Sequence, residues 1–139
     1  MEAEQCITIQ APLEVVWRTL TEIDQWPSWQ RSVSKATLKN LLAPQTEFHW
    51  ISGGMKIHSQ VMEISAPSAI RWSGRTLGTK ADHTWSLART EDGTKVTTSE
   101  TMHGWLVSVM SVINKDFLDS TLLEALADLK KDAERRHAV

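Results

Sequence analysis

Two residues in this chain have the chemistry of an acid–base pair, His83 and Glu100. Both lie in stretches that alternate as strands, and the turn Glu91-Asp92-Gly93-Thr94 joins those stretches. If Leu87 faces Val96 across this hairpin, Trp85 faces Thr98 and His83 faces Glu100, all on the inward side. A carboxylate beside an imidazole in an apolar setting can orient the ring and raise its pKa, as a general acid/base pair needs. The other readings of the pair are a satisfied structural contact, or a Glu100 at a solvent mouth.

The second chemical signal is aromatic. The chain has seven Trp, two Phe and no Tyr. Trp50, Trp72 and Trp85 share the inward parity of three strands. Buried indoles need a partner for their N–H, so a plain core would use few of them; an aromatic-lined pocket for a flat or apolar ligand uses several. Phe48, Leu87, Thr98 and Met102 have the same inward parity, and Phe117 in the C-terminal segment completes the candidate ligand-binding set. Ordinary core packing is the competing reading for all of them.

Other reactive side chains point elsewhere. His49, His58 and His103 have outward or terminal parity and, with His83, lack a metal-ligand spacing; neither a metal nor a cofactor is expected. Arg71 and Arg75 alternate with Trp72, as solvated outward residues or as an anchor for a carboxylate at the rim. Cys6 lacks a neighbouring base and reads as a small apolar filler. A single cysteine excludes an intrachain disulfide.

The elements that must position these groups follow from periodicity. Leu118, Leu122, Ala125, Leu126, Leu129 and Ala133 recur at spacings of three and four and form one apolar stripe on a C-terminal helix. Asp119, Glu124, Asp128, Lys131 and Glu134 fall mostly outside it, with Asp128–Lys131 the one favourable pair. Burial of the stripe must then supply most of the helix's stability. At the other end, residues 4–10 alternate as a strand. Pro12 and Glu14 suit the start of a short helix with Val15, Val16, Leu20 and Ile23 buried and Trp17 beside them. Asp24 can cap a second short helical turn that carries Trp26 and Trp29. Further strands are read at 33–39, around Phe48–Trp50, at 55–65, 69–76, 79–88 and 95–103. Turns at Gly53-Gly54, Leu77-Gly78 and Gly93 separate them, with Gly93 expected at positive φ. Short turns make neighbours antiparallel, and one face of such a sheet needs a cover that the helix stripe can provide.

The chain has 139 residues, enough for one domain, and a net charge of −2, which gives no footprint for nucleic acid. No run of about 18 apolar residues is present to insert into a membrane. The acidic start runs directly into apolar alternation without a signal-peptide shape, so a cytoplasmic protein is expected.

The pattern I-x-I-x-A-P-x-x-V-V-W-x-x-L-T-x-I-D-x-W-P-x-W, from Ile7 to Trp29, resembles the start of polyketide cyclase/dehydrase-like proteins of the START-like SRPBCC superfamily. The hairpin HTWSLARTEDGTKVTTSE, the following GWL and the long helix extend the likeness over nearly the whole chain. The resemblance implies an α+β helix-grip fold: about seven antiparallel strands curved around a long C-terminal helix, two short helices after the first strand, and a hydrophobic cavity between sheet and helix. It implies binding of a lipid, sterol, plant hormone or polyketide intermediate, and in some members cyclisation or dehydration. The expected function is binding of a small hydrophobic ligand of the lipid, sterol or aromatic polyketide kind. One alternative is a cyclase/dehydratase in which His83 takes a proton and Glu100 holds the imidazole. Another is an interaction module or homodimer through the apolar segment 104–112, which reads equally as a lid, a lipid-facing patch, or the buried first turns of the long helix.

Overall fold

The computed structural model describes residues 1–138. Strand β1 (Glu2–Ile9) leads into helix α1 (Leu13–Thr21) and a 3-10 helix (Ile23–Ser28). Strands β2 (Val33–Leu38), β3 (Glu47–Ser52), β4 (Met55–Ser65), β5 (Ala69–Thr76), β6 (Thr79–Arg89) and β7 (Thr94–His103) follow, then helices α2 (Trp105–Ile113) and α3 (Phe117–Ala138). The seven strands form one antiparallel sheet in the order β1-β7-β6-β5-β4-β3-β2. The run β2 to β7 is a meander, as its short turns require, and β1 returns to pair with β7.

Helix α3 packs on β1, β7 and α1 through the stripe read from the sequence: Leu118, Leu122, Leu126, Leu129 and Ala133 are all buried. Each buried leucine contributes about 1.5–3 kcal/mol. Leu126 and Leu129 join Ile9, Val16, Leu20, Ile70, Trp85 and Val96 in the main core, whereas Leu118 and Leu122 meet Ala3 in a smaller one. Pro12 sits just ahead of α1 in extended conformation, and its carbonyl accepts from Val15 and Val16. Its missing N–H therefore removes no helical bond.

Several sequence expectations are corrected. Asp128 is buried and does not pair with Lys131; its carboxylate accepts from the Arg31 backbone N–H at 3.0 Å and the Arg31 Nε at 2.9 Å. This clamp ties α3 to the segment after the 3-10 helix, a long-range contact that helical spacing alone cannot reveal. Asp24 makes no helix cap and instead accepts from the Leu38 backbone N–H at 2.8 Å. Cys6 is exposed, because strand parity places it opposite Thr97 on the polar outer side. Gly93 is not at positive φ; a Cβ there would collide with the backbone carbonyl of Ile9, so close approach is what demands glycine. The segment 104–112 is not the start of the long helix. It forms α2, which ends at Ile113 with Asn114 as its C-cap, and of its residues only Val107 is buried.

Candidate functional site

The sheet and α3 enclose a cavity of about 160 Å³. Its wall comes from Trp50 of β3, Ile57 of β4, Trp72 and Gly74 of β5, Ala81, His83 and Trp85 of β6, and Glu100 and Met102 of β7. Leu20, Trp26 and the α3 residues Phe117, Leu118, Thr121, Leu122 and Ala125 close it. The space has a simple origin: Gly74 stands directly opposite Ala81 in the β5–β6 register, so two inward positions bring almost no side-chain volume. A Cβ on Gly74 would meet Ile57 and Ala81 only at ordinary contact distance, 3.6 and 3.7 Å.

Trp50, Trp72, Trp85, Met102 and Phe117 line the cavity, as do His83 and Glu100. Phe48, Leu87 and Thr98 are inward and buried but stand behind the lining, in the core. Phe48 packs edge-on against Trp26 and Trp72, each ring centroid at 5.6 Å. Thr98 lies under His83. Sequence reasoning did not place Trp26 in the lining, because it rides on a 3-10 helix where strand parity gives no direction. Its ring lies 5.2 Å from Trp50 and 5.5 Å from Trp72, and its N–H donates to the Leu20 carbonyl at 2.8 Å. The small residues Gly74 and Ala81 were also missed; their signal was small size at inward positions of strands that otherwise carry tryptophan.

The indole N–H groups differ in a way that matters chemically. That of Trp50 donates to the Ser59 hydroxyl at 3.0 Å, but the buried N–H groups of Trp29 and Trp85 have no partner. Unpaired buried donors are uncommon; of these two, Trp85 belongs to the cavity wall and Trp29 does not.

The polar edge of the cavity is a short chain of bonds. His83 and Glu100 are direct neighbours across β6 and β7, in the register expected from the hairpin. The Thr98 hydroxyl donates to the Thr84 carbonyl at 3.1 Å, and His83 Nε2 lies 2.7 Å from the same hydroxyl oxygen. A hydroxyl has one proton to give, so with that proton on the Thr84 carbonyl Nε2 is the donor in that contact and Nδ1 carries the lone pair. Glu100 Oε1 lies 3.6 Å from Nδ1. Burial holds the His83 pKa down to about 3 and pushes Glu100 up to about 7. The expected rise of the imidazole pKa is thus reversed: desolvation outweighs the neighbouring carboxylate, which burial itself keeps about half protonated at neutrality. Among the described residues, no group of three or more His, Cys, Asp or Glu side chains is arranged to hold a metal ion.

Arg71 faces outward and is held by Asp82 and Glu63. His49 and His58 stack on the outer face with ring centroids 4.5 Å apart, and His58 reaches Glu47 at 2.9 Å.

A curved antiparallel sheet that grips a C-terminal helix over an aromatic cavity is a helix-grip fold. The chain belongs to the family described as polyketide cyclase / dehydrase and lipid transport, which matches residues 1–134. No curated protein matches the chain. Among solved structures it is similar to the Zhui aromatase/cyclase from Streptomyces sp. R1128, at 12% identity and a TM-score of 0.82 over 98% of this chain and 94% of that one. It is also similar to a START superfamily protein from Mycobacterium smegmatis, at 13% identity and a TM-score of 0.74 over 99% of this chain and 97% of that one. The di-domain aromatase/cyclase StfQ of the steffimycin biosynthetic pathway matches at 16% identity and a TM-score of 0.79; 99% of this chain covers 52% of that chain. At these identities the likeness defines the fold.

Proposed function

We propose that the cavity binds a small, flat, largely apolar molecule carrying one hydrogen-bond acceptor. The observation that supports this most is a cavity walled by Trp26, Trp50, Trp72 and Trp85, the last of which carries a buried, partnerless N–H. A ligand carbonyl or phenolic oxygen would satisfy it, while Trp26, Trp50 and Trp72 cover the apolar faces. A volume of about 160 Å³ suits one aromatic ring, or the ring end of a longer polyketide-like or lipid molecule. Catalysis is a second reading, favoured by one observation: Glu100, with a pKa near 7, lines the same space. In that reading Glu100 is the group that gives or takes a proton, and neutral His83 positions it. The family includes cyclases and dehydrases by its description, which agrees with either role.

The test is a thermal-shift screen of monocyclic phenols and ketones, flavonoids, aromatic polyketides, fatty acids and sterols. A ligand at about 100 times its dissociation constant adds about 2.7 kcal/mol. Gly74→Val projects new methyl groups into the cavity and should abolish the shift. A panel with no shift, or an equal shift in Gly74→Val, would overturn the reading. Ligands that do bind are then incubated with wild type and Glu100→Gln; turnover lost only in the variant supports the catalytic reading.

A further inference from the structure

One end of the sheet is built unlike the rest of the molecule. The β3–β4 turn, the β5–β6 turn, the end of β7 and helix α2 all lie there. The stretches 50–58, 74–81 and 101–113 contain no Asp or Glu, although the whole chain has 17; at the β1 edge of this end Glu2 stands opposite Thr101. Lys56, Arg75 and Lys80 sit in the last rungs of these strands, with Lys35 beside them on β2. Arg75 faces Lys80 directly across the β5–β6 pair. Like charges directly opposite each other destabilise a sheet. None of these four cations makes an ion pair among the described residues, unlike Arg71, which sits further along the same strand between Glu63 and Asp82.

The tip beyond these cations is apolar. In α2, Trp105, Val109, Val112 and Ile113 follow helical spacing and form one stripe, yet that stripe is exposed, Val112 by 80% and Ile113 by 77%. Leu77 continues it at the β5–β6 turn, 70% exposed. The union is rigid. The Trp105 ring lies on Gly78, where a Cβ would come within 2.5 Å of it, and Leu106 N–H donates to the Gly78 carbonyl at 3.1 Å. The cavity lining reaches this same end at Ser52, Met55, Thr76 and Thr79.

We propose that this end docks on an anionic membrane surface, with the α2 stripe and Leu77 in the headgroup–acyl boundary and Lys56, Arg75 and Lys80 against the headgroups. An apolar stripe flanked by cations of one sign is the chemistry of an interfacial element. Trp105 stands where indoles favour the interface. A second copy fits less well, because a two-fold contact sets the patch against itself and brings the unpaired cations together. No described helix is long and apolar enough to cross a membrane, so the contact is peripheral. The proposal goes beyond ligand binding and does not need it: its test reads surface residues, and an empty cavity would leave it standing.

The full chain is sedimented with phosphatidylcholine vesicles, with and without phosphatidylserine. Wild type should bind the anionic vesicles far better than the neutral ones, and added salt should release it. Lys56→Gln with Lys80→Gln should weaken binding roughly 30-fold, since each cation near such a surface contributes on the order of 1 kcal/mol. Val112→Ser with Ile113→Ser should weaken it by about tenfold or more. Leu41→Ser, exposed at the opposite end of the sheet, should bind like wild type. No binding to anionic vesicles, or equal binding by all variants, overturns the proposal. So does a concentration-dependent dimer that Val112→Ser with Ile113→Ser dissolves while vesicles are ignored, or equal binding to a soluble acidic polypeptide.

Discussion

His83 and Glu100 face each other across β6 and β7 with Nδ1 3.6 Å from Oε1, and burial moves their pKa values in opposite directions. Glu100 rises from 4.5 to about 7, and His83 falls from 6.5 to about 3. Both are therefore uncharged over a broad acidic-to-neutral range, and neither can be treated as half of an ion pair.

The sign of the pH dependence follows. The stability that neutral Glu100 contributes is complete below about 4.5 and is lost as pH rises through about 7. Neutral His83 has the opposite slope: its contribution is complete above 6.5 and is lost as pH falls toward about 3. Glu100→Gln should match wild type at about pH 4 and exceed it at about pH 8, by up to about 3 kcal/mol. Urea unfolding at the two pH values checks this. A gap that does not change with pH would mean that Glu100 titrates like an exposed carboxylate.

Thr98 determines which nitrogen of His83 holds the proton. With its own proton on the Thr84 carbonyl, its oxygen accepts from Nε2. Nitrogen NMR of labelled protein should find the neutral ring protonated at Nε2. Thr98→Val removes the acceptor at nearly constant volume and should cost about 1–3 kcal/mol, with the ring free to change tautomer. A wild-type ring protonated at Nδ1 would contradict the bond chain.

The Asp128 clamp predicts an asymmetric pair of substitutions. The Asp128 side chain is 9% exposed and that of Arg31 67%. Asp128→Ala strips the Arg31 backbone N–H of its partner as well as its guanidinium, and should cost about 2 kcal/mol. Arg31→Ala keeps the backbone bond and loses a largely solvated contact, so its cost should stay below about 1 kcal/mol. Urea unfolding of both variants and the double variant measures the difference. Equal costs would show that the side-chain ion pair, not the backbone bond, holds α3.

These outcomes separate what sequence patterns could say from what they could not. Period-two alternation and tight turns made consecutive strands antiparallel neighbours and set His83 opposite Glu100, because a hairpin with a short turn has one register that keeps its apolar face inward, whereas the return of β1 to β7 had no such local signal. The stripe of α3 was equally legible, since Leu118 to Ala133 repeat with the helix period. Long-range polar contacts were not: nothing local in sequence marks Asp128 as the partner of Arg31, 97 residues away. The imidazole pKa was misjudged because a charge partner was visible in sequence and the depth of burial was not. Phe48 and Leu87 share parity with the lining residues but lie in the core, since parity chooses a face and the position of the 3-10 helix decides what covers it.

Trp85 offers the sharpest division between folding and binding. Its ring is 3% exposed and lies 5.2 Å from His83, but its N–H is unpaired. Trp85→Phe keeps an aromatic ring in the wall and deletes the donor. Removing an unsatisfied buried donor relieves a cost of about 1–3 kcal/mol, which offsets the packing lost with the smaller ring. Stability should therefore change little, within about 1 kcal/mol. Affinity should fall selectively: a ring bearing a carbonyl or phenolic oxygen should lose about tenfold or more, whereas the matching hydrocarbon should lose little, because only the former uses the N–H. Titration calorimetry of each ligand pair against wild type and Trp85→Phe compares the two losses. Equal losses for the oxygenated and hydrocarbon partners would assign Trp85 to packing alone and remove the donor from the binding site.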